Sequence, residues 1–362
     1  MTASSETPRA AGFRMPGEFS HHEACWMFWP CLPVTWGETS PTGRPGLAAA
    51  RSAYAEVARA IARFEPLRMA APPAHAEAAA AACGEDVEVV ELPIDDAWAR
   101  DTGPSFLLGP EGELGGVHWQ FNNYGNEPFA GKPALAPEDY AGDAAIGGVI
   151  LEIEDARIFR APLVMEGGAL HVDGEGTVLV TEECLLHPNR NPTLDRATIE
   201  GHLLEFLGAQ KVIWLGRGLV DDQTNGHIDE LACFVRPGVV LALSRSDPAD
   251  VDYPALQDNL ERLARATDAR GRSLEIIEIE AAPAVMHRDV RLSLSYINCY
   301  LANGGVVMPA FGAPDHDAEA AGIMARAFPD REIVQVPALD IFGGGGGIHC
   351  ITQQQPSREA LR

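Results

Sequence analysis

Apolar and polar positions change their period several times along this chain, and each change marks an element. Over residues 47–64, LAAARSAYAEVARAIARF places apolar side chains at the three- and four-residue spacing of an amphipathic helix. The Ala-rich stretch 74–83 predicts a second helix, and VEVVELPI at 87–94 a short strand ending at Pro93 or just after. APLVMEGGALHVDGEGTVLVTEECLL, residues 161–186, reads as strand, turn and strand, with Gly174 and Gly176 marking a hairpin. A helix over 193–208 then leads to the strand KVIWLG at 211–216, and 219–244 is strand-rich again. The alternation continues with a helix over 253–269, the strand LEIIEIE at 274–280, strand and turn over 295–312, a helix over 318–328 and a strand over 331–339. Strand-rich blocks separated by single helices recur about five times with no long linker between them, which predicts a repeated α/β assembly. Residues 1–14 read as a flexible N-terminal arm and 15–362 as a single domain, with the aromatic EACWMFWP at 23–30 as a core or rim anchor.

Composition narrows the function. With 362 residues and 46% hydrophobic content the chain can bury a substantial core. Its 52 acidic residues against 27 Lys and Arg give a net charge of -25, which excludes nucleic acid as the main partner and favours a small cationic substrate. The opening MTASSETPRAAGF lacks the basic start and apolar core of a secretory signal, and no apolar run is long enough to span a bilayer, so no membrane partner and a cytoplasmic location are expected. Seven dispersed cysteines form no disulfide framework, and their odd number leaves at least one free.

Chemistry enters with LDIFGGGGGIHC, where five glycines at 343–347 precede His349 and Cys350. No GKS or GKT follows, so a phosphate loop is not indicated. A sharply turned loop that presents the thiol competes with a plain flexible tail. In TNGHIDE, His227 and Asp229 stand two positions apart and share a direction if the segment is extended, as an acid/base and its carboxylate would; a core histidine and a surface acid are the alternatives. Glu166 lies at the Gly-rich strand boundary MEGGALH. Asp101, in WARDTGP, sits in a constrained polar turn, with an ion pair to Arg100 as its alternative and Asp96 as a reserve candidate. Neither the Cys184/His187 pair nor His21, His22 and Cys25 completes a zinc ligand set, and HIDE is not HExxH, so no metal is expected.

Taken together, WMFWP, DDAWARDTGP, MEGGALHVDGEGTVLVTEECLLHPNRNP, TNGHIDELACFVRPGVV, NCYLANGGVVMPAFG and GGGGGIHCITQQQP closely resemble the agmatine deiminase family, within the peptidylarginine-deiminase-like pentein superfamily. The match runs over most of residues 15–356. It implies a pentein fold, an α/β propeller of five pseudo-repeated units around a central pocket, and makes 15–362 one catalytic domain. It also implies Cys350 as nucleophile, His227 as general acid/base, Glu166 as the acid that orients His227 and contacts the guanidinium, and Asp101 and Asp229 as the carboxylates that grip it. Asp96 follows at lower rank, with backbone contacts from Gly346 and Gly347. The implied reaction converts agmatine, a small cationic guanidine, to N-carbamoylputrescine and ammonia through a covalent cysteine intermediate, with no cofactor and no metal. Free or peptidyl arginine is the alternative substrate, an inactive interaction scaffold the alternative class, and a homo-oligomer, a dimer, the expected assembly. Glu230 stands where the family commonly has Asn, which bears on fine specificity.

Overall fold

In the computed structural model the described residues are 6–37, 46–128, 133–287, 290–292 and 294–360. Among them, five sheets share one pairing order, in which an antiparallel pair is followed, across a helix, by a parallel strand. Ser105–Leu108 pairs antiparallel with Leu114–Gln120, which pairs parallel with Arg157–Val164 after the helix Ala141–Ile153. His171–Val172, Thr177–Thr181 and Lys211–Leu215 repeat this around the helix Arg196–Leu207. Ala232–Arg236, Val239–Ser244 and Glu275–Glu280 do so around Tyr253–Arg265, and Tyr300–Ala302, Gly305–Ala310 and Glu332–Pro337 around Pro314–Ala327. The fifth sheet joins the two ends of the chain: Thr352–Pro356 lies antiparallel to His22–Phe28, which pairs parallel with Leu67–Ala71 after the helix Leu47–Ala62, and Val87–Glu91 adds a fourth strand. The α/β alternation expected from the sequence is present, as several mixed sheets joined by helices. A separate hairpin, Val285–His287 with Val290–Leu292, lies outside this scheme.

The helices form where the apolar stripe dictates. In Leu47–Ala62 the buried set includes Ala50, Ala53, Tyr54, Val57, Ala58 and Ile61, one continuous face. Asp195 caps Arg196–Leu207 by accepting from the Thr198 N–H, and Gly208 closes it in the left-handed region at φ 63°. A side chain at 208 would run into the backbone of Phe13, because the N-terminal segment crosses there. Its Arg9 and Met15 N–H groups donate to Glu205 and Leu207 carbonyls, and Arg14 pairs with Leu108, so this stretch of the expected arm is docked; residues 1–5 lie outside the described residues, as do 38–45.

Helix Ala141–Ile153 and the strand Leu114–Gln120 before it were not predicted, and of the strand after it, Arg157–Val164, only the end from 161 was read. The helix carries Gly147 and Gly148 at its centre, which weakens its helical signal. Packing requires them: a Cβ on Gly147 would sit 3.1 Å from the Thr102 carbonyl oxygen and one on Gly148 2.9 Å from His118 Nδ1. The helix thereby presses against the turn that carries Asp101. No helix among the described residues is long and apolar enough to cross a membrane.

Candidate active site

Each of the five sheets is entered through a short turn, and these turns bring their side chains together. Asp101 lies in the helical turn Ala99–Thr102 before Ser105–Leu108. Glu166 precedes Gly167–Ala169, and His227 precedes Ile228–Glu230, which contains Asp229. Asn298 and Cys350 stand just ahead of Tyr300–Ala302 and Thr352–Pro356. One repeated backbone thus delivers a different functional group from each unit, and all six side chains are buried.

At the centre, Cys350 Sγ accepts from Asn298 Nδ2 at 3.2 Å and its thiol faces Asp229 Oδ2 at 3.5 Å. The amide of Asn298 is oriented by its other end, where Oδ1 accepts the His349 N–H at 2.8 Å. His227 lies between two carboxylates, with Nδ1 3.7 Å from Asp101 Oδ1 and Nε2 3.6 Å from Glu166 Oε2. Glycine at 168 makes this convergence feasible, since a Cβ there would be 2.6 Å from His227 Nδ1, 2.7 Å from Asp101 Oδ1 and 3.0 Å from Asp229 Oδ2.

Supporting hydrogen bonds fix the acids and leave selected oxygens free. Asp101 accepts from Tyr124 Oη and from the Gly168 N–H, both at 2.9 Å. Glu166 Oε1 accepts from Arg190 Nε at 2.7 Å. Asp229 Oδ2 contacts His349 Nδ1 at 2.8 Å. Glu166 Oε2, Asp229 Oδ1 and both His227 nitrogens have no hydrogen-bond partner among the described residues. Buried acceptors in that state are costly unless a ligand supplies donors.

The charges follow from these neighbours. Burial pushes the Asp101 carboxyl up to about 6; His227 opposes the rise, while Asp229 and Glu166 add to it. Burial also disfavours charge on Glu166, but Arg190 and His227 outweigh it and hold the carboxyl below its ordinary range. Burial likewise opposes protonation of His227, yet Asp101, Cys184 and Glu166 hold the imidazole well above its usual value. Burial, then Asp229, Glu230 and Asp101, push the Cys350 thiol far up, so in the unliganded site it keeps its proton.

Above the thiol opens a cleft whose lining includes Trp98, Asp101, Tyr124, Glu127 and Gln223, and among the described residues no Lys or Arg lines it. Gly344, Gly345 and Gly346 of the glycine run form one of its walls. Gly345 has φ 116°, and a Cβ on Gly346 would sit 2.6 Å from the Trp98 ring and 3.2 Å from Cys350 Sγ. Gly344 and Gly346 line the cleft, whereas Gly347 packs on Asn298 and Phe342. Asp96 stands behind this wall: its carboxylate accepts from Thr35 Oγ1, Trp36 Nε1, Trp98 Nε1 and the Ala97 N–H, and the two indoles stack at 5.5 Å. With both oxygens engaged it supports Trp98 and is not among the lining residues.

The family model of the Porphyromonas-type peptidyl-arginine deiminases matches residues 14–356. The chain belongs to that family. Within it, the chain is 48% identical to a Legionella pneumophila (strain Paris) protein over 98% of each chain. It is 43% identical to the agmatine deiminase of Stutzerimonas stutzeri (strain A1501), with 99% of each covered. The solved agmatine deiminase of Enterococcus faecalis superposes with a TM-score of 0.90 at 36% identity, over 98% of this chain and 99% of that one. The chain is accordingly a cysteine-dependent deiminase acting on a guanidinium group, and Cys350, His227 and Glu166 are all buried in it.

Several residues of the deiminase site carried no local signal in the sequence. Asn298, Arg190, Tyr124 and His349 became visible only through contacts made across the fold. Cys184, considered above as a metal-type pair with His187, instead groups with His227 and Glu166, where Arg190 already supplies the positive charge.

Proposed function

We propose that the protein hydrolyses the guanidinium group of agmatine to N-carbamoylputrescine and ammonia. The observation that carries this is the pair of carboxylates about the thiol: Asp229, whose Oδ2 faces Sγ and whose Oδ1 has no hydrogen-bond partner among the described residues, and Asp101, which lines the cleft together with Cys350. A guanidinium presents several N–H donors in one plane around an electrophilic carbon, which matches acceptors arranged about a nucleophile. Glu127 at the cleft suits a second, distal ammonium.

The entering cation offsets the negative field that keeps Cys350 protonated, so the thiol releases its proton to solvent and Asn298 Nδ2 stabilises the thiolate that results. The thiolate adds to the guanidinium carbon, the C–N bond breaks, and protonated His227 gives its proton to the departing nitrogen, which leaves as ammonia. The neutral imidazole next takes a proton from water as the hydroxide adds to the amidino-thioether carbon; collapse breaks the C–S bond and restores the thiol side chain. Glu166, held ionised by Arg190, favours the imidazolium that starts the cycle. Around this site we place the five units as blades of a closed propeller, supported by their common strand order and by the pairing of first and last strands.

The test is a product assay that compares agmatine, arginine and an arginine peptide, measuring ammonia and ureido product separately. Turnover of agmatine well above the other two, abolished in Cys350→Ala, is expected. Preference for arginine or its peptide would overturn the substrate, and undiminished turnover in Cys350→Ala the mechanism.

A further inference from the structure

A buried chain of charges leads from the nucleophile back to the start of the polypeptide. Asp229 Oδ2, which faces the Cys350 thiol, is 2.8 Å from His349 Nδ1, and His349 Nε2 is 2.8 Å from Glu18 Oε2. Glu18 and His349 are each 3% exposed. A neutral imidazole has one N–H, so two short contacts to two carboxylates need either a doubly protonated ring or a protonated acid.

The surroundings of Glu18 decide between these. Its Oε1 accepts the Leu301 N–H at 3.2 Å, and Oε2 also lies 3.5 Å from His171 Nε2 and 3.9 Å from Arg100 Nη2. His171 Nδ1 accepts the Phe234 N–H, which places that ring's proton on Nε2, facing Glu18. Glu18 therefore meets donors on every side and no acceptor, the setting of a carboxylate. The same accounting leaves His171 no lone pair on Nε2, so the Glu18, His171 and His349 group is not a metal site. At its other end Asp229 Oδ1 accepts nothing, as befits a carboxylate awaiting a cationic ligand.

We infer that His349 is a standing imidazolium, held between Glu18 and Asp229, that positions Asp229 and keeps it ionised before substrate arrives. His349 acts through Asp229 and is a positioning residue. The groups around it are consistent with this role. Burial and Arg100 oppose the His349 charge, but Glu18 and Asp229 outweigh them and raise the imidazole above its usual value. Burial opposes the Asp229 charge, but His349, His227 and Arg100 hold its carboxyl low; the Cys350 thiol, Asp101 and Glu230 face the same cluster from the other side. Arg331 adds positive charge beyond Glu18.

This inference rests on the deiminase reading of the cleft, but its first test does not require turnover. In the full-length protein with 15N-labelled histidine, the signals lost in His349→Gln are expected to be those of a doubly protonated ring, persisting above the pH at which an ordinary imidazole becomes neutral. A neutral ring at neutral pH would overturn the inference. In Glu18→Gln, which retains His349, the ring is expected to titrate at lower pH; an unchanged titration would count against the chain. With agmatine, both variants are expected to raise KM by about tenfold, more than they lower kcat, and to move the acid limb of kcat/KM upward. An acid limb unmoved in both would reduce His349 to a structural role. A wild-type protein that does not process agmatine would sink the functional reading, with the nitrogen signals still judging the imidazolium.

Discussion

Arg190 Nε donates to Glu166 Oε1 at 2.7 Å, and neither side chain reaches solvent. The same guanidinium donates to the carbonyls of Tyr124 and Thr224 and to the side chains of Asn189 and Asn225. Arg190 therefore ties the cleft wall to the acid behind His227, leaving Glu166 Oε2 to face His227 Nε2.

Arg190→Gln strands a buried carboxylate. A loss of about 3 to 5 kcal/mol in unfolding free energy at neutral pH is expected, together with loss of turnover. Because Arg190 lowers the Glu166 carboxyl below its ordinary value of 4.5, this contribution is fully present above that value and is lost as pH falls through the lower, folded one. The stability gap between wild type and variant should therefore narrow in acid. Urea unfolding at neutral and acid pH measures it, and a gap that stays constant would contradict the assignment.

Asp101 behaves in the opposite sense. Its folded value of about 6 exceeds the ordinary 3.8, so the folded state binds the extra proton between these values and stability falls as pH rises across that window. Asp101→Asn removes this penalty. The variant's melting temperature relative to wild type should rise between the two values and level off above the upper one, while agmatine turnover is lost. In wild type, kcat/KM should fall as pH drops below about 6, where Asp101 gains a proton. A pH-independent difference in melting temperature would refute the raised carboxyl.

Much of the secondary structure could be read from local sequence because it is encoded locally. Helix 47–62 announced itself by its apolar stripe, whereas the glycines and turn residues beside Cys350, His227, Glu166 and Asp101 made them candidates only, and their expected roles came from the family resemblance. The helix Ala141–Ile153 was hidden by Gly147 and Gly148, which only the neighbouring turn and strand explain. Arg190, Asn298 and Glu18 were hidden for a different reason: their partners Glu166, Cys350 and His349 lie 24, 52 and 331 positions away. Asp96 resembled a ligand-binding acid because its four donors include indoles and a hydroxyl brought in by tertiary contacts.

Reactivity of the thiol tests the field around it. With Asp229, Glu230 and Asp101 nearby and burial complete, Cys350 should react with neutral iodoacetamide more slowly at neutral pH than an ordinary free thiol. A cationic amidine electrophile should react faster than the neutral reagent, because it brings its own positive charge into the carboxylate pocket. Asn298→Ala removes the Nδ2 donor from Sγ and should slow both reactions and lower kcat/KM by about tenfold. Equal rates with the neutral and cationic reagents would show that the acids do not control the thiol.

Gly346→Ala tests whether the glycine run is a fitted wall or merely a flexible tether. The added methyl would approach the Trp98 ring to 2.6 Å and Cys350 Sγ to 3.2 Å, and neither can withdraw easily. Trp98 is stacked on Trp36 and hydrogen-bonded to Asp96, while Sγ is held by Asn298 and Asp229. Displacing the thiol by about 1 Å should lower kcat by about a hundredfold with the fold retained. Gly322, in the helix Pro314–Ala327, provides the control, since a Cβ there meets only the end of the Arg326 side chain at 3.5 Å. Gly322→Ala should leave kcat unchanged. If both variants turn over agmatine at the wild-type rate, the loop can move aside and its glycines serve flexibility instead of fit.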